Sequence, residues 1–373
     1  ERRDLYPQGV ASGDPRHDSV ILWTRRAPDG GVASHQLTVE VASDPEFAEL
    51  VARGDVAVTA ATDWTCRFLA AGLSPARVYW YRFADEAGNA SRVGRTLTAP
   101  ADDDTRPVKF AFVSCQDVTQ GACNAYRRML YEDAHRPREE QLGFVLHLGD
   151  FFYEMVWYPE ERPDGMERGR RLRDIVRYPH GEKVSTFNIP TDLEDYRTAY
   201  RGYLQDPDLQ DARAQWPFVP VWDNHEFSWR GFQSQQIFGS EVRPAQKLKV
   251  AASQVWYEYQ PARVRKPGNG DVFEAPVVEN KPLTALDARG LSQEPNNLAA
   301  ITALQIQRAF RYGKNVDMIL TDNRSYGSQG GSYEGLPEVK FEGFPEEALE
   351  ILDQGQAYAG GNPPATIRIG EIE

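Results

Sequence analysis

The chain has few of the features that usually settle a function early. Only three cysteines occur in 373 residues, Cys66, Cys115 and Cys123. They cannot all pair within one chain, so at least one is a free thiol or a ligand unless it bonds another chain. The spacing of Cys115 and Cys123 fits neither a C-x-x-C redox pair nor a zinc knuckle. No apolar run approaches the roughly 18 residues that span a bilayer, and no cationic segment followed by an apolar one opens the chain. The first residue is Glu1 rather than Met, so a processed N-terminus with room for a removed export signal is expected. Positive charge is also short. Lys and Arg number 42 against 55 Asp and Glu, a formal net charge of -13, which excludes a general nucleic-acid-binding role because phosphate backbones are held by Lys and Arg clusters. The surplus carboxylates suit divalent cations or simply solubility. There is no internal repeat at solenoid or propeller spacing and no G-x-S-x-G elbow.

What is present is enough apolar material for a sizeable core, 41% hydrophobic and 11% aromatic, in a chain long enough for one large domain and a smaller one. Residues 1–98 carry short β runs such as Val20–Thr24, Gln36–Val41 and Val78–Phe83, separated by Gly, Pro and Asp, which predicts a β-sandwich. Within it, Leu73–Tyr79 resembles the tyrosine corner of fibronectin type III domains. Residues 99–107 are polar, rich in Asp, and read as a linker. From 108 to 373 apolar strand runs alternate with helical patterns, Val108–Val113, Cys123–His135, Leu142–Leu148, the order of βαβ units. Residues 158–190 show little periodicity and read as a lid over a neighbouring site. A helix over Leu193–Leu209, a buried strand over Trp216–Trp222, amphipathic helices over Pro244–Tyr259 and Asn297–Tyr312, and a strand over Val316–Leu320 follow. Residues 260–296 read as loop or hairpin, and beyond Gly327 the chain is acidic and glycine-rich as far as a last apolar stretch, Ala365–Ile369.

Polar clusters follow four of these strands: Ser114-Cys115-Gln116-Asp117, Gly149-Asp150-Phe151-Phe152-Tyr153, Asp223-Asn224-His225-Glu226 and Asp322-Asn323-Arg324. In an open α/β sheet such ends converge on one crevice, so the pattern predicts a metal-centred site. Asp150 is a hard oxygen donor able to bridge two cations. Cys115 offers a soft thiolate and Tyr153 a phenolate, a pair that suits Fe(III) better than magnesium or calcium. Asn224 offers a neutral carbonyl oxygen to a second, harder metal, and His225 could orient substrate or protonate a leaving group. Each has a structural alternative: Cys115 as a small buried residue, Asp150 as a cap, Asn224 as a turn former. A Ser or Cys triad, with Cys115 as nucleophile and His225 as base, is the competing enzyme class.

Asp150-x-x-Tyr153 after His147-Leu148-Gly149, with Asp223-Asn224-His225-Glu226, resembles the G-D-x-x-Y and G-N-H-E pattern of metallophosphoesterases, Asp223 standing in place of the usual Gly. Ser114-Cys115-Gln116 in place of a first D-x-H block, and Gln8-Gly9-Val10-Ala11-Ser12-Gly13-Asp14-Pro15, narrow the likeness to the alkaline phosphatase D family. The resemblance implies an α/β metallophosphoesterase fold, two mixed sheets sandwiched with helices, behind a separate N-terminal all-β sandwich. It implies Fe(III) on Cys115, Asp150 and Tyr153, Ca(II) on Asp150 and Asn224 with Asp223 beside them, and His225 with Asn224 at the substrate. It implies an exported, periplasmic or secreted enzyme using the twin-arginine route and cleaving phosphomonoesters and phosphodiesters. One departure stands out: the family's later G-D-x-H block is missing, so a nicked fragment, with a second polypeptide carrying the remaining ligands, is expected.

The mechanism this predicts is attack of a metal-activated hydroxide on phosphorus while cations neutralise the developing charge. Two alternatives are carried forward: a non-catalytic module that holds a phosphate ligand on a degenerate metallophosphatase scaffold, and a phospholipase D-type phosphodiesterase.

Overall fold

The computed structural model describes residues 1–238 and 241–327, and the backbone of Val339–Lys340 and Thr366–Ile367. The chain divides into two units, Glu1–Gly327 and Ser328–Glu373. In the second, Val339–Lys340 pairs antiparallel with Thr366–Ile367; the rest of the stretch Ala365–Ile369 lies outside the described residues.

In the first unit, β1 (Val10–Gly13), β2 (Ser19–Arg25) and β5 (Thr65–Ala71) face a four-stranded sheet of β3 (Ser34–Ala42), β4 (Leu50–Thr59), β6 (Val78–Asp85) and β7 (Gly94–Leu97), ordered β4-β3-β6-β7. Period-two alternation explains the packing. β3 buries Leu37, Val39 and Val41 and turns Ser34 and Gln36 outward, and those three meet Val20 and Leu22 of β2 and Tyr79, Tyr81 and Phe83 of β6 in one core. The Tyr79 hydroxyl accepts from the Ser74 N–H at 2.8 Å, tying the corner before β6 to its own strand.

The expected separation of this part from the rest is corrected by the sheet itself. β8 (Phe110–Val113), β9 (Phe144–His147) and β10 (Pro217–Pro220) are mutually parallel and continue the β1 sheet in the order β5-β2-β1-β10-β9-β8. The junction is a short parallel pairing, Ser12 opposite Pro217 and Gly13 opposite Phe218. Gly13 is needed there, because a Cβ would stand 2.1 Å from the Pro261 carbonyl oxygen and 2.7 Å from that of Phe218. Part-buried ion pairs cross the same boundary, Arg308 to Asp14 at 2.7 Å and Arg201 to Asp63 at 2.9 Å. Local periodicity carries no record of a pairing across two hundred residues. Among the described residues after 108, no second full sheet forms beside β8, β9 and β10. A hairpin of β11 (Arg308–Tyr312) and β12 (Val316–Leu320) packs Tyr312 and Leu320 against Phe144 and Val219 instead.

Helix α1 (Asn124–Ala134) lies between β8 and β9, whereas α2 (Leu193–Tyr203) and α3 (Pro207–Gln215) precede β10. The single helix expected over Leu193–Leu209 is interrupted because Asp206 caps α3, accepting from the N–H groups of Asp208 and Leu209, with Pro207 in its first turn. α4 (Gln246–Tyr259) lies within the expected span, but α5 (Pro295–Ile301) stops early and β11 takes the rest of the segment expected to be helical. Residues 158–190 are not a free lid. Two short hairpins, Met166–Glu167 with Arg170–Arg171 and Glu182–Val184 with Phe187–Ile189, give them structure, and Leu172, Val176 and Tyr178 are buried.

His147 closes β9 fully buried, Nδ1 accepting from the Gly149 N–H at 3.3 Å and Nε2 without a partner. Burial, with Arg213 adding repulsion, pushes its pKa down to about 3. The unfolded chain therefore takes up a proton below about 6.5 that the folded chain refuses, so this contribution to stability is present above that pH and is lost as pH falls toward 3. His147→Leu is expected to flatten the acid side of the stability curve by up to about 1.4 kcal/mol per pH unit. Denaturant melts of both proteins at pH 7 and pH 5 check this; parallel losses would show that His147 is not the source.

Candidate metal centre

Because β8, β9 and β10 run parallel, their carboxyl ends open on one edge, and the three segments that follow meet there. The first two zip together: the Cys115 N–H donates to Gly149 O and the Gln116 N–H to Asp150 O, each at 3.1 Å. Cys115 and Asp150 both hold positive φ, 56° and 53°, a conformation that costs a non-glycine residue free energy and concentrates at functional positions. The glycine between the strand and Asp150 is obligatory, since a Cβ on Gly149 would lie 2.4 Å from the Asp223 nitrogen.

Glu226 fixes the third segment to the second. Its buried carboxylate accepts from the N–H groups of Asp150 at 3.0 Å, Phe151 at 2.7 Å and Asp223 at 2.9 Å. Burial and the nearby Asp150 raise its pKa to about 7, and the three amides pull against that rise. The clamp leaves Asp150 with Oδ1 accepting from the His225 N–H at 3.2 Å and Oδ2 3.6 Å from Cys115 Sγ. Tyr153 completes this group, its phenol interacting with the Cys115 thiol. Desolvation raises the pKa of all three, Asp150 and Tyr153 by burial and Cys115 by the partial cover of its sulfur, although the residue keeps an exposed surface. A thiol and a phenol whose pKa values are raised, beside a carboxyl oxygen donor, are a donor set whose protons a strongly acidic cation can displace, and soft sulfur with phenolate oxygen suits Fe(III). The residues present therefore fit the group the sequence implied.

His225 is held from two sides. Its Nδ1 lies 2.6 Å from Glu154 Oε2, and its ring packs on Tyr153 with centroids 4.1 Å apart. Glu154 is itself buried, accepting also from the Trp229 N–H. Burial alone would lower the imidazole pKa, but Glu154, with Asp150 and Glu226 behind it, raises it to about 8. This geometry does not serve a thiol nucleophile: His225 is committed to Glu154, and burial raises rather than lowers the Cys115 pKa.

Asp223 and Asn224 sit at the outer side of the crevice, joined by Arg324 from the segment after β12. The guanidinium donates from Nε to Asp223 Oδ1 at 2.6 Å and from Nη2 to Asn224 Oδ1 at 3.2 Å. Its loop is anchored by Asp322, which accepts from Trp222 Nε1 and from the N–H groups of Arg324 and Ser325. The backbone of Asn224 also forms a turn, accepting from the N–H groups of Phe227 and Ser228. A cation placed on Asn224 must compete with Arg324. Arg324→Ala is expected to raise calcium affinity about fivefold, the size of a partly exposed ion pair of about 1 kcal/mol. Terbium luminescence with calcium competition measures this; weaker binding in the variant would make Arg324 a scaffold for the site instead.

The structure thus brings Cys115, Asp150, Tyr153, Asp223, Asn224 and His225 to one crevice. Three residues acquire roles that no motif assigned: Glu154, Glu226 and Arg324. Glu154 directly follows one motif and Glu226 ends the other, yet their roles depend on contacts 71 to 76 positions away along the chain. A separate group, His180, Asp192 and Asp195, is also close enough to share a cation. Its carboxylates are already used, Asp192 capping α2 through the Asp195 N–H and Asp195 accepting from the N–H groups of His180 and Thr191.

Comparison with known proteins falls on the same motifs. The family model for the N-terminal domain of PhoD-like phosphatases matches residues 1–100, and the PhoD-like phosphatase model matches residues 110–357. Alkaline phosphatase D of Bacillus subtilis (strain 168) is 35% identical over 272 residues, 71% of this chain and 42% of that protein. A solved structure of PhoD superposes with a TM-score of 0.64 at 29% identity, covering 86% of this chain and 52% of the other. The chain spans about half the length of the relatives it matches. With the catalytic-domain model alone covering well over half of its residues, the chain belongs to the PhoD-like phosphatase family.

Proposed function

We propose that the chain carries the iron-binding half of the centre of an exported, metal-dependent phosphoesterase acting on phosphomonoesters, phosphodiesters or both. The observation that carries this reading is the meeting of Cys115, Asp150 and Tyr153 at one strand edge, a thiol, a carboxyl and a phenol that together make a donor set suited to a strongly acidic cation. Fe(III) on these three, with Ca(II) reached by Asp150 and Asn224, would supply Lewis-acid activation of the attacking water and neutralise charge on the phosphoryl oxygens.

The chain's own residues do the rest. Glu226 holds the Asp150 and Asp223 segments at fixed separation through three backbone N–H groups. Glu154 takes the Nδ1 side of His225 and leaves Nε2 to hold a proton for the departing alkoxide. Arg324, 34% exposed at its side chain, adds a guanidinium beside the crevice that can meet a phosphoryl oxygen. Nothing in the comparisons supports a separate second polypeptide.

Elemental analysis of purified protein together with hydrolysis of a chromogenic phosphodiester, before and after chelation, tests the proposal. Turnover that tracks iron and calcium content supports it. Full turnover after the metals are stripped would refute the metal dependence, and bound metal with no turnover on mono- or diesters would favour a module that binds a phosphate ligand without cutting it.

A further inference from the structure

The geometry points to a second anion site, away from the metal centre, for a phosphorylated small molecule with an apolar body. It is a cleft of about 470 Å³ between β6 and β7 of the sandwich, residues 100–109, and the start of β9, a volume in the range of small-ligand pockets. Arg95, Arg106, Lys109 and Arg138 line it, against one acidic side chain, Glu139. In a chain of net charge -13 that is a local reversal of sign.

The cations are under-compensated. Arg106 pairs with Asp104 at 2.7 Å, but among the described residues Arg95, Lys109 and Arg138 form no ion pair with a carboxylate. Arg95 donates only to the Gln215 carbonyl at 3.1 Å, and the Lys109 ammonium reaches only the Glu139 carbonyl at 3.5 Å. Arg95 feels the Asp133 carboxylate somewhat more than it feels the repulsion of Arg138. Guanidinium groups lining one cleft, with Glu139 its one acidic side chain, match the forked recognition of phosphate oxygens. The walls are apolar, from Val78, Leu97, Leu142 and the ring of Tyr312, so the ligand's body is apolar and its phosphate lies at the cationic rim.

The test is calorimetric titration of the metal-loaded protein with phenylphosphonate, which has no ester bond to cleave, in parallel with benzoate. Two binding events are expected for phenylphosphonate. R138E, at an exposed position, and the double variant R95Q/R138Q should each weaken one event at least tenfold, while diester hydrolysis stays within twofold; E139Q should strengthen the same event. Benzoate, with fewer oxygens to offer the two guanidiniums, should bind the cleft at least tenfold more weakly. Binding wholly unchanged by R138E and R95Q/R138Q, whether in one event or two, would overturn the site, and benzoate binding as tightly as phenylphosphonate would overturn the assignment to phosphate. The binding outcomes are read without reference to ester hydrolysis, so failure of the cleft and failure of the metal centre are scored separately.

Discussion

Cys115→Ser is expected to strip the protein of iron and to lower phosphoester turnover by at least about 100-fold, since even residues that merely support a metal's ligands cost 10 to 100-fold when removed. The substitution separates ligation from folding. Cys115 is exposed, so no core packing is lost. Its structural contribution is made by the backbone, in the N–H donated to Gly149 O and the left-handed φ of 56°, and serine retains both. What changes is the donor. A serine hydroxyl is far less acidic than a thiol and far harder, so it cannot replace the thiolate beside Asp150 and Tyr153. Three measurements suffice: iron by elemental analysis, the visible absorption that an iron–phenolate or iron–thiolate pair confers, and turnover on a chromogenic diester. A serine variant with full iron and full turnover would remove Cys115 from the ligand set. One with unchanged melting temperature and no iron would locate the loss at the metal.

The strand-end motifs point to the proposed site because each is local: a buried strand, a glycine, then a polar group. Asp150 and Tyr153 could be picked out that way, as could the Asp223–Glu226 segment. What could not be read is how each segment is held. Glu226 reads as one more polar residue in a cluster, and its three N–H partners belong to segments seventy-odd positions away or to its own turn. Gly149 looks like a turn glycine until the approach of Asp223 is known. The fold shows the same division. The alternation in β3 is legible residue by residue, whereas the pairing of β1 with β10 rests on two residue pairs and on Gly13 under Pro261, for which periodicity has no symbol. Periodicity also misled over residues 302–312, where it favoured a helix although the Arg308–Tyr312 segment pairs with Val316–Leu320 as a hairpin.

Glu154→Gln is the sharper test of how His225 works. If His225 delivers a proton to the leaving oxygen, its catalytic value depends on a fixed ring orientation and on a carboxylate that supports the charged ring. Glu154 provides both, at 2.6 Å from Nδ1 and itself fully buried. Glutamine preserves the shape and can still accept from Trp229 N–H, yet it carries no charge to balance the imidazolium. General acid catalysis is worth about 10² to 10⁴-fold, so His225→Ala should lose at least about 100-fold in kcat on an alkyl diester, and Glu154→Gln about tenfold or more. The discriminating measurement is the leaving group. A nitrophenolate departs without protonation, so both variants should retain most of their rate on nitrophenyl esters and lose it on alkyl esters, with KM and metal content little changed. Equal losses on both classes of ester, or iron lost alongside the rate, would mean that Glu154 and His225 hold the Asp150 segment in place and transfer no proton.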